Sequence, residues 1–111
     1  MAAIDLEFLR SVVGDDREFE KELFAIFTEN ADRNISKMEN AVKNNDSNSW
    51  YMASHAFKGA AASIGAFGLS KALEYAQRHP EDNNEDKLKI VEKVKVQYKL
   101  VVEFINKELA V

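Results

Sequence analysis

Apolar residues recur every three or four positions along nearly the whole chain, the period of helices packed on one side. Ile4, Phe8, Leu9 and Val12 mark a short first helix that Gly14 ends. Asp15 or Asp16 then caps a long second helix, and Glu18 in its first turn suits the positive end of the helix dipole. The apolar stripe of that helix is Phe19, Leu23, Ile26, Phe27, Ala31, Ile35, Met38 and Val42, and Asn44 and Asn45 close it. Asp46 or Ser47 caps a third helix over about residues 48–64. Gly65-Ala66-Phe67-Gly68 breaks the pattern, a shorter fourth helix runs from about Leu69 to Arg78, and Pro80 stops it. The polar run Glu81–Asp86 reads as a loop. A last helix takes most of Leu88–Leu109, with Leu88, Val91, Val94, Tyr98, Val101, Val102, Ile105 and Leu109 inward.

No run alternates with period two, so the chain supplies no sheet. Long helices joined by short connections place neighbours antiparallel. The expected fold is all-α: an antiparallel up-and-down four-helix bundle with a short additional N-terminal helix, forming one domain over residues 1–111.

Composition narrows the function classes. The chain has 111 residues, 46% of them hydrophobic and 31% charged, which suits one domain with a real core. Zero cysteines exclude disulfide scaffolds, thiol catalysis and thiolate metal sites. No stretch of about 18 apolar residues exists to span a bilayer, and the opening MAAIDLEFLR does not resemble a secretion signal. A cytoplasmic location without membrane association is expected. A net charge of −4 leaves no surplus of cations for phosphate backbones, so nucleic acid is not an expected partner. The charge is also unevenly placed. Residues 1–46 hold 11 acids and 6 bases, whereas residues 47–70 hold a single charged side chain, Lys58.

That neutral stretch is the third helix. With Phe57 at zero on a wheel of about 100° per residue, Trp50, Ala53, Ala61 and Ile64 fall within about 40° and define the core face. His55 lands about 160° away, and Lys58 and Gly59 follow it by three and four positions on the same outer side. A glycine there costs about 1 kcal/mol relative to alanine. An outward imidazole, a cation beside it and a missing side chain together suit close approach by another protein's loop. A neutral imidazole is a good nucleophile toward phosphorus when its other nitrogen is held as a donor, and the ammonium of Lys58 would stabilise the phosphoryl group. Alone, each residue has an ordinary reading: a histidine of the surface or core, a solvated lysine, a glycine at a close helix contact. Together, His-x-x-Lys-Gly arises by chance in a chain of this size on the order of one time in a hundred.

The run His55-Ala56-Phe57-Lys58-Gly59-Ala60-Ala61-Ala62-Ser63-Ile64-Gly65-Ala66, with Leu69 after it, resembles the signature of histidine-containing phosphotransfer (HPt) domains. Gly14-Asp15-Asp16, Trp50 and Leu73-Glu74 extend the resemblance over nearly the whole chain; Ser54 stands where that family often has alanine. The resemblance implies a phosphorelay intermediate. It would take a phosphoryl group from a receiver-domain aspartate onto His55 and pass it to another receiver aspartate. It also implies that Lys58 stabilises the phosphoryl oxygens, that Gly59 leaves room for the receiver, and that a polar side chain of the next helix holds the inner imidazole nitrogen. Gln77 is the candidate for that last role, or else a solvated helix residue. Response-regulator receivers and a hybrid sensor histidine kinase are the implied partners. No cofactor is expected on this chain; Mg2+ belongs to the receiver's acidic pocket.

Other features are weaker. Tyr51, Met52 and Ala62, with Leu6 and Val13 of the first helix, form a docking patch or spare core. His79 suits a helix C-terminus, and a His55/His79 metal site lacks a third ligand. No G-x-x-x-x-G-K-[ST] loop is present, so the chain is expected to be a carrier without kinase activity of its own. Two other classes compete: a helical docking adaptor, and a hydrolase using His55 as general base, which lacks an acidic or nucleophilic partner one turn away. A bundle of this size buries its own core, so a monomer is expected.

Overall fold

Carboxylates set the helix starts. Asp5, Asp16 and Asp46 each accept a hydrogen bond at 3.0 Å from the backbone N–H three residues on, at Phe8, Phe19 and Ser49, satisfying donors that the first turn leaves free. The computed structural model describes residues 2–109, and the side chain of Leu109, expected inward, lies outside what is described. Among the described residues there are five helices and no strand: α1 (Leu6–Val13), α2 (Arg17–Lys43), α3 (Ser47–Ser63), α4 (Phe67–Gln77) and α5 (Asn84–Leu109). The cap of α2 is thus Asp16 and that of α3 is Asp46. Helices α4 and α5 start at Phe67 and Asn84, two and four residues earlier than expected, so Phe67, Gly68 and residues 84–86 are helical.

Helix α2 packs on α3 and α5, and α4 packs on the same two. At 1.5 Å per residue the 27 residues of α2 reach about 40 Å, which accounts for the 43 Å long axis beside widths of 23 and 22 Å. The core line of α2 is Phe24, Phe27, Ala31, Ile35, Met38 and Val42. It shares one buried cluster with Trp50, Ala53, Phe57 and Ala61 of α3, Leu69, Leu73 and Ala76 of α4, and Ile90, Val91, Val94, Val101 and Ile105 of α5. Phe27, Phe57 and Tyr98 pack ring on ring, and the Tyr98 hydroxyl donates to the Thr28 carbonyl at 3.2 Å. Burial, then the nearby Asp32 carboxylate, raises the Tyr98 phenol well above its ordinary range, so it stays protonated.

Helix α1 is pinned to the α3–α4 corner. The Asp5 N–H donates to the Gly65 carbonyl at 3.0 Å, and Phe8 meets Phe67 edge to face at 5.1 Å. Gly65 sits at φ +79°, and a β-carbon there would come within 2.9 Å of the Asp5 carbonyl oxygen. Only glycine fits both conditions.

The expected stripes need correction at their ends. Phe19, Ile26 and Leu88 are 44, 57 and 52% exposed, and Val12 is exposed as well. The inward line of α2 instead begins at Glu20 and Phe24, and α5 buries Ile90. Glu20 is 1% exposed because Arg10 of α1 donates its Nε–H to the Glu20 carboxylate at 3.0 Å. Periodicity alone places a glutamate outward; the ion pair reverses that and turns Phe19 to solvent. Tyr98 and Val102 are half-buried, less enclosed than expected. Lys87 is 3% exposed, its ammonium 5.3 Å from the centre of the Trp50 ring, a cation–π contact at the end of the bundle.

Candidate functional site

Helix α3 presents two unlike faces. On one, Trp50, Phe57 and Ala61 are completely buried and Ala53 nearly so; the Trp50 indole N–H donates to the Ala76 carbonyl at 2.7 Å. These contacts fix the rotation of the helix, and His55 on the other face is exposed. The Tyr51 ring, one turn earlier, lies parallel to the imidazole, with centroids 6.0 Å apart and planes 7° from parallel. Lys58 is half-buried, and among the described residues no carboxylate pairs with its ammonium. Gly59 is exposed, and a β-carbon built on it would meet nothing within 4 Å. Packing inside this chain therefore does not explain the glycine.

Helix α4 lines the other side. Its Ser70 hydroxyl donates to the Lys58 carbonyl at 3.4 Å, and the Gln77 amide N–H donates to the Tyr51 hydroxyl at 3.3 Å. This register sets Gln77 level with Tyr51, one turn before His55. Consequently no hydrogen bond joins Gln77 to the imidazole among the described residues, in contrast to the contact expected from sequence. The Gln77 carbonyl oxygen is buried and has no partner. The Ser54 hydroxyl, also completely buried, has none either.

The remaining residues of the expected patch separate. Met52 is exposed beside His55 and Ala62 is half-buried; Leu6 and Val13 of α1 are half-buried against the core. A groove of about 490 Å³ runs between α2 and α3 next to Met52, with Asn34, Lys37, Asn40 and Ala56 on its walls. His79 takes its contacts from its own helix end: Nδ1 lies 2.6 Å from the Tyr75 carbonyl, and the two rings stack at 4.0 Å. Among the described residues no three histidine or carboxylate side chains gather as a metal site, and no helix is long and apolar enough to cross a membrane. The Tyr51–Gln77 bond and the unpaired Ser54 hydroxyl escaped sequence reasoning. The four-residue spacing of Tyr51 and His55 was the one available signal for the ring stack.

An exposed imidazole beside a free ammonium and a gap can form a bond to an electrophile delivered by a second molecule. A family model described as the Hpt domain matches residues 22–103, and the chain belongs to that family. Hpt domains are phosphocarrier modules, not enzymes. They serve phosphotransfer in two-component phosphorelays, where they meet receiver domains and histidine kinases. Searches of curated proteins and of solved structures returned no match.

Proposed function

We propose that the chain relays a phosphoryl group between receiver domains through His55. In the accepting step the electron pair of Nε2 forms a bond to phosphorus while the bond from phosphorus to the receiver's aspartate oxygen breaks. The carboxylate leaves with that electron pair, and Nδ1 keeps its proton, so the ring gains positive charge. Handing the group to a second receiver aspartate reverses these changes. Lys58 faces the phosphoryl oxygens as their charge changes, Gly59 leaves the space through which the receiver reaches the ring, and Gln77 offers its unpaired carbonyl oxygen to Nδ1–H. Tyr51, Met52 and Ala62 form the near edge of the docking surface, and Leu6 and Val13 support it from α1. The cation needed for transfer sits in the receiver's acidic pocket, and this chain holds no cofactor. We place it in an up-and-down antiparallel bundle of one domain. It acts as a cytoplasmic monomer fed by a hybrid sensor kinase, without kinase activity of its own.

The observation that carries this reading is the exposure of His55 directly opposite a fully buried face, next to a glycine that nothing inside the chain requires. The test is transfer from phosphorylated receivers of the source organism. The expected result is an acid-labile, base-stable label on this chain that His55→Gln abolishes. Label persisting in His55→Gln would overturn the assignment, and absence of label from every receiver would favour the docking adaptor.

A further inference from the structure

Helix α5 buries Ile90, Val91, Val94, Val101 and Ile105. On its opposite side Glu85, Lys89, Glu92, Val96, Lys99, Glu103 and Lys107 form an exposed line at steps of three and four. Counted outward from Val96, the charges are antisymmetric. Glutamate stands eleven residues before and lysine eleven after; lysine stands seven before and glutamate seven after; glutamate stands four before and lysine three after. Val96 is 57% exposed and Leu100 46%. Within this line only Lys89 and Glu85 pair, at 4.0 Å; among the described residues Glu92, Lys99, Glu103 and Lys107 have no ion-pair partner.

We infer that this face of α5 binds α5 of a second copy, antiparallel, about a twofold axis at Val96. A twofold interface uses one patch twice, so the patch must complement its own reverse, and this one does. Glu85 meets Lys107, Lys89 meets Glu103 and Glu92 meets Lys99 of the second copy, each pair occurring twice around a central contact of Val96 with Val96. On a wheel of about 100° per residue, Glu92 and Lys99 share one flank of the line and Lys93 takes the other. The axis brings each flank against itself, so Lys93 and Lys99 stay apart. The register is specified too. Sliding one copy by a turn sets Lys89 against Lys107 in one direction, and Glu85 against Glu103 in the other, and like charges facing across an interface oppose binding. A single helix pair is a small interface, so association is weak and the monomer prevails in dilute solution. Helices α3 and α5 both pack on α2 and α4 and stand diagonally across the bundle, so pairing leaves His55 open on the far side of each copy.

The pairing of α5 does not depend on the phosphocarrier reading. Sedimentation equilibrium of the full chain from about 10 μM to about 1 mM is expected to show a mass rising from 12.6 kDa toward twice that, and rising less at high salt. Lys89→Glu and Glu103→Lys each turn two attractions into repulsions and should weaken pairing about tenfold. The double variant restores the pattern with its signs exchanged and should pair like wild type. Val96→Cys, in a chain without cysteine, should form an interchain disulfide in oxidised glutathione faster than Leu88→Cys, which lies away from the axis. Phosphoramidate, a small phosphoryl donor that needs no docking surface, should label His55 at the same rate in dilute and paired protein. A mass fixed at 12.6 kDa throughout, or pairing that ignores the charge reversals, would overturn the inference, as would slower labelling of the pair. Pairing in a protein that phosphoramidate does not label would leave the inference standing and sink the phosphocarrier reading.

Discussion

Replacing Gly59 separates the stability of α3 from what its outer face does. The glycine is interior to a 17-residue helix, where it costs about 1 kcal/mol relative to alanine. A β-carbon there meets no atom within 4 Å, so no steric term opposes the gain. Gly59→Ala should therefore stabilise the fold by about 1 kcal/mol, raising Tm by about 4 °C in a domain of this size. Gly59→Gln should stabilise slightly less, since glutamine ranks just below alanine as a helix former. Its longer side chain, however, projects beside His55 into the space a receiver loop would enter. Transfer from a phosphorylated receiver should fall at least a hundredfold in Gly59→Gln, while labelling by phosphoramidate stays near wild type. The paired assays are a melting curve and two phosphorylation time courses. Receiver-dependent transfer at the wild-type rate would refute close approach through this gap. A lower Tm for Gly59→Ala would show instead that the position is not open.

Three further outcomes follow from other contacts. Ser54→Ala removes a completely buried hydroxyl with no partner and should stabilise by about 1 kcal/mol, read as a higher denaturation midpoint at constant m-value; a loss of stability would mean the hydroxyl is satisfied. Lys58→Ala should slow transfer to His55 about tenfold through the lost cation with circular dichroism unchanged, and equal rates would remove Lys58 from the phosphoryl site. The Ser49 hydroxyl, followed by the Ser49 backbone N–H, holds the Asp46 carboxyl below its ordinary 3.8. A group with a lowered folded value stabilises above its unfolded pKa and loses that contribution as pH falls through the folded one. The stability gap between wild type and Asp46→Asn should therefore be constant above about pH 4 and close at lower pH, followed by denaturant titration at each pH; a gap independent of pH would contradict the cap's ionic character.

The order of the five helices is legible from the sequence because each break carries its own chemistry: Gly14-Asp15-Asp16, Asn44-Asn45-Asp46, Gly65 and Pro80. The α3 wheel is legible for the same kind of reason. Trp50 and Phe57 mark its core side, so His55, Lys58 and Gly59 fall on the outer side in the structure as on the wheel. What escaped depends on pairs far apart in the chain. Glu20 turns inward only because Arg10 of another helix meets it, and no periodicity records a partner ten residues away. Gln77 bonds Tyr51 because α3 and α4 settle in one register, pairing Lys58 with Ser70 and Tyr51 with Gln77. Register between helices is decided by how side chains fill the seam, here Trp50 against Ala76.

The seam also explains how α3 tolerates such an impoverished outer surface. Helices in proteins are held mainly by their packed face, and α3 puts Trp50, Phe57 and Ala61 fully out of solvent there. The cap at Asp46, the indole bond to α4 and the Gly65 corner fix its two ends. With rotation and ends settled from inside, the outer positions carry no structural duty. They can hold a glycine that weakens the helix, a single cation in a run of 24 residues (47–70), and an unpaired imidazole. A surface salted with glutamate and lysine pairs would add stability of a few tenths of a kcal/mol per pair. It would also place charge and bulk where a second protein must come within bonding distance of a nitrogen. The neutrality of residues 47–70 and the depth of the α3 core are thus two sides of one solution, and weakening the core face should loosen the imidazole before it unfolds the bundle.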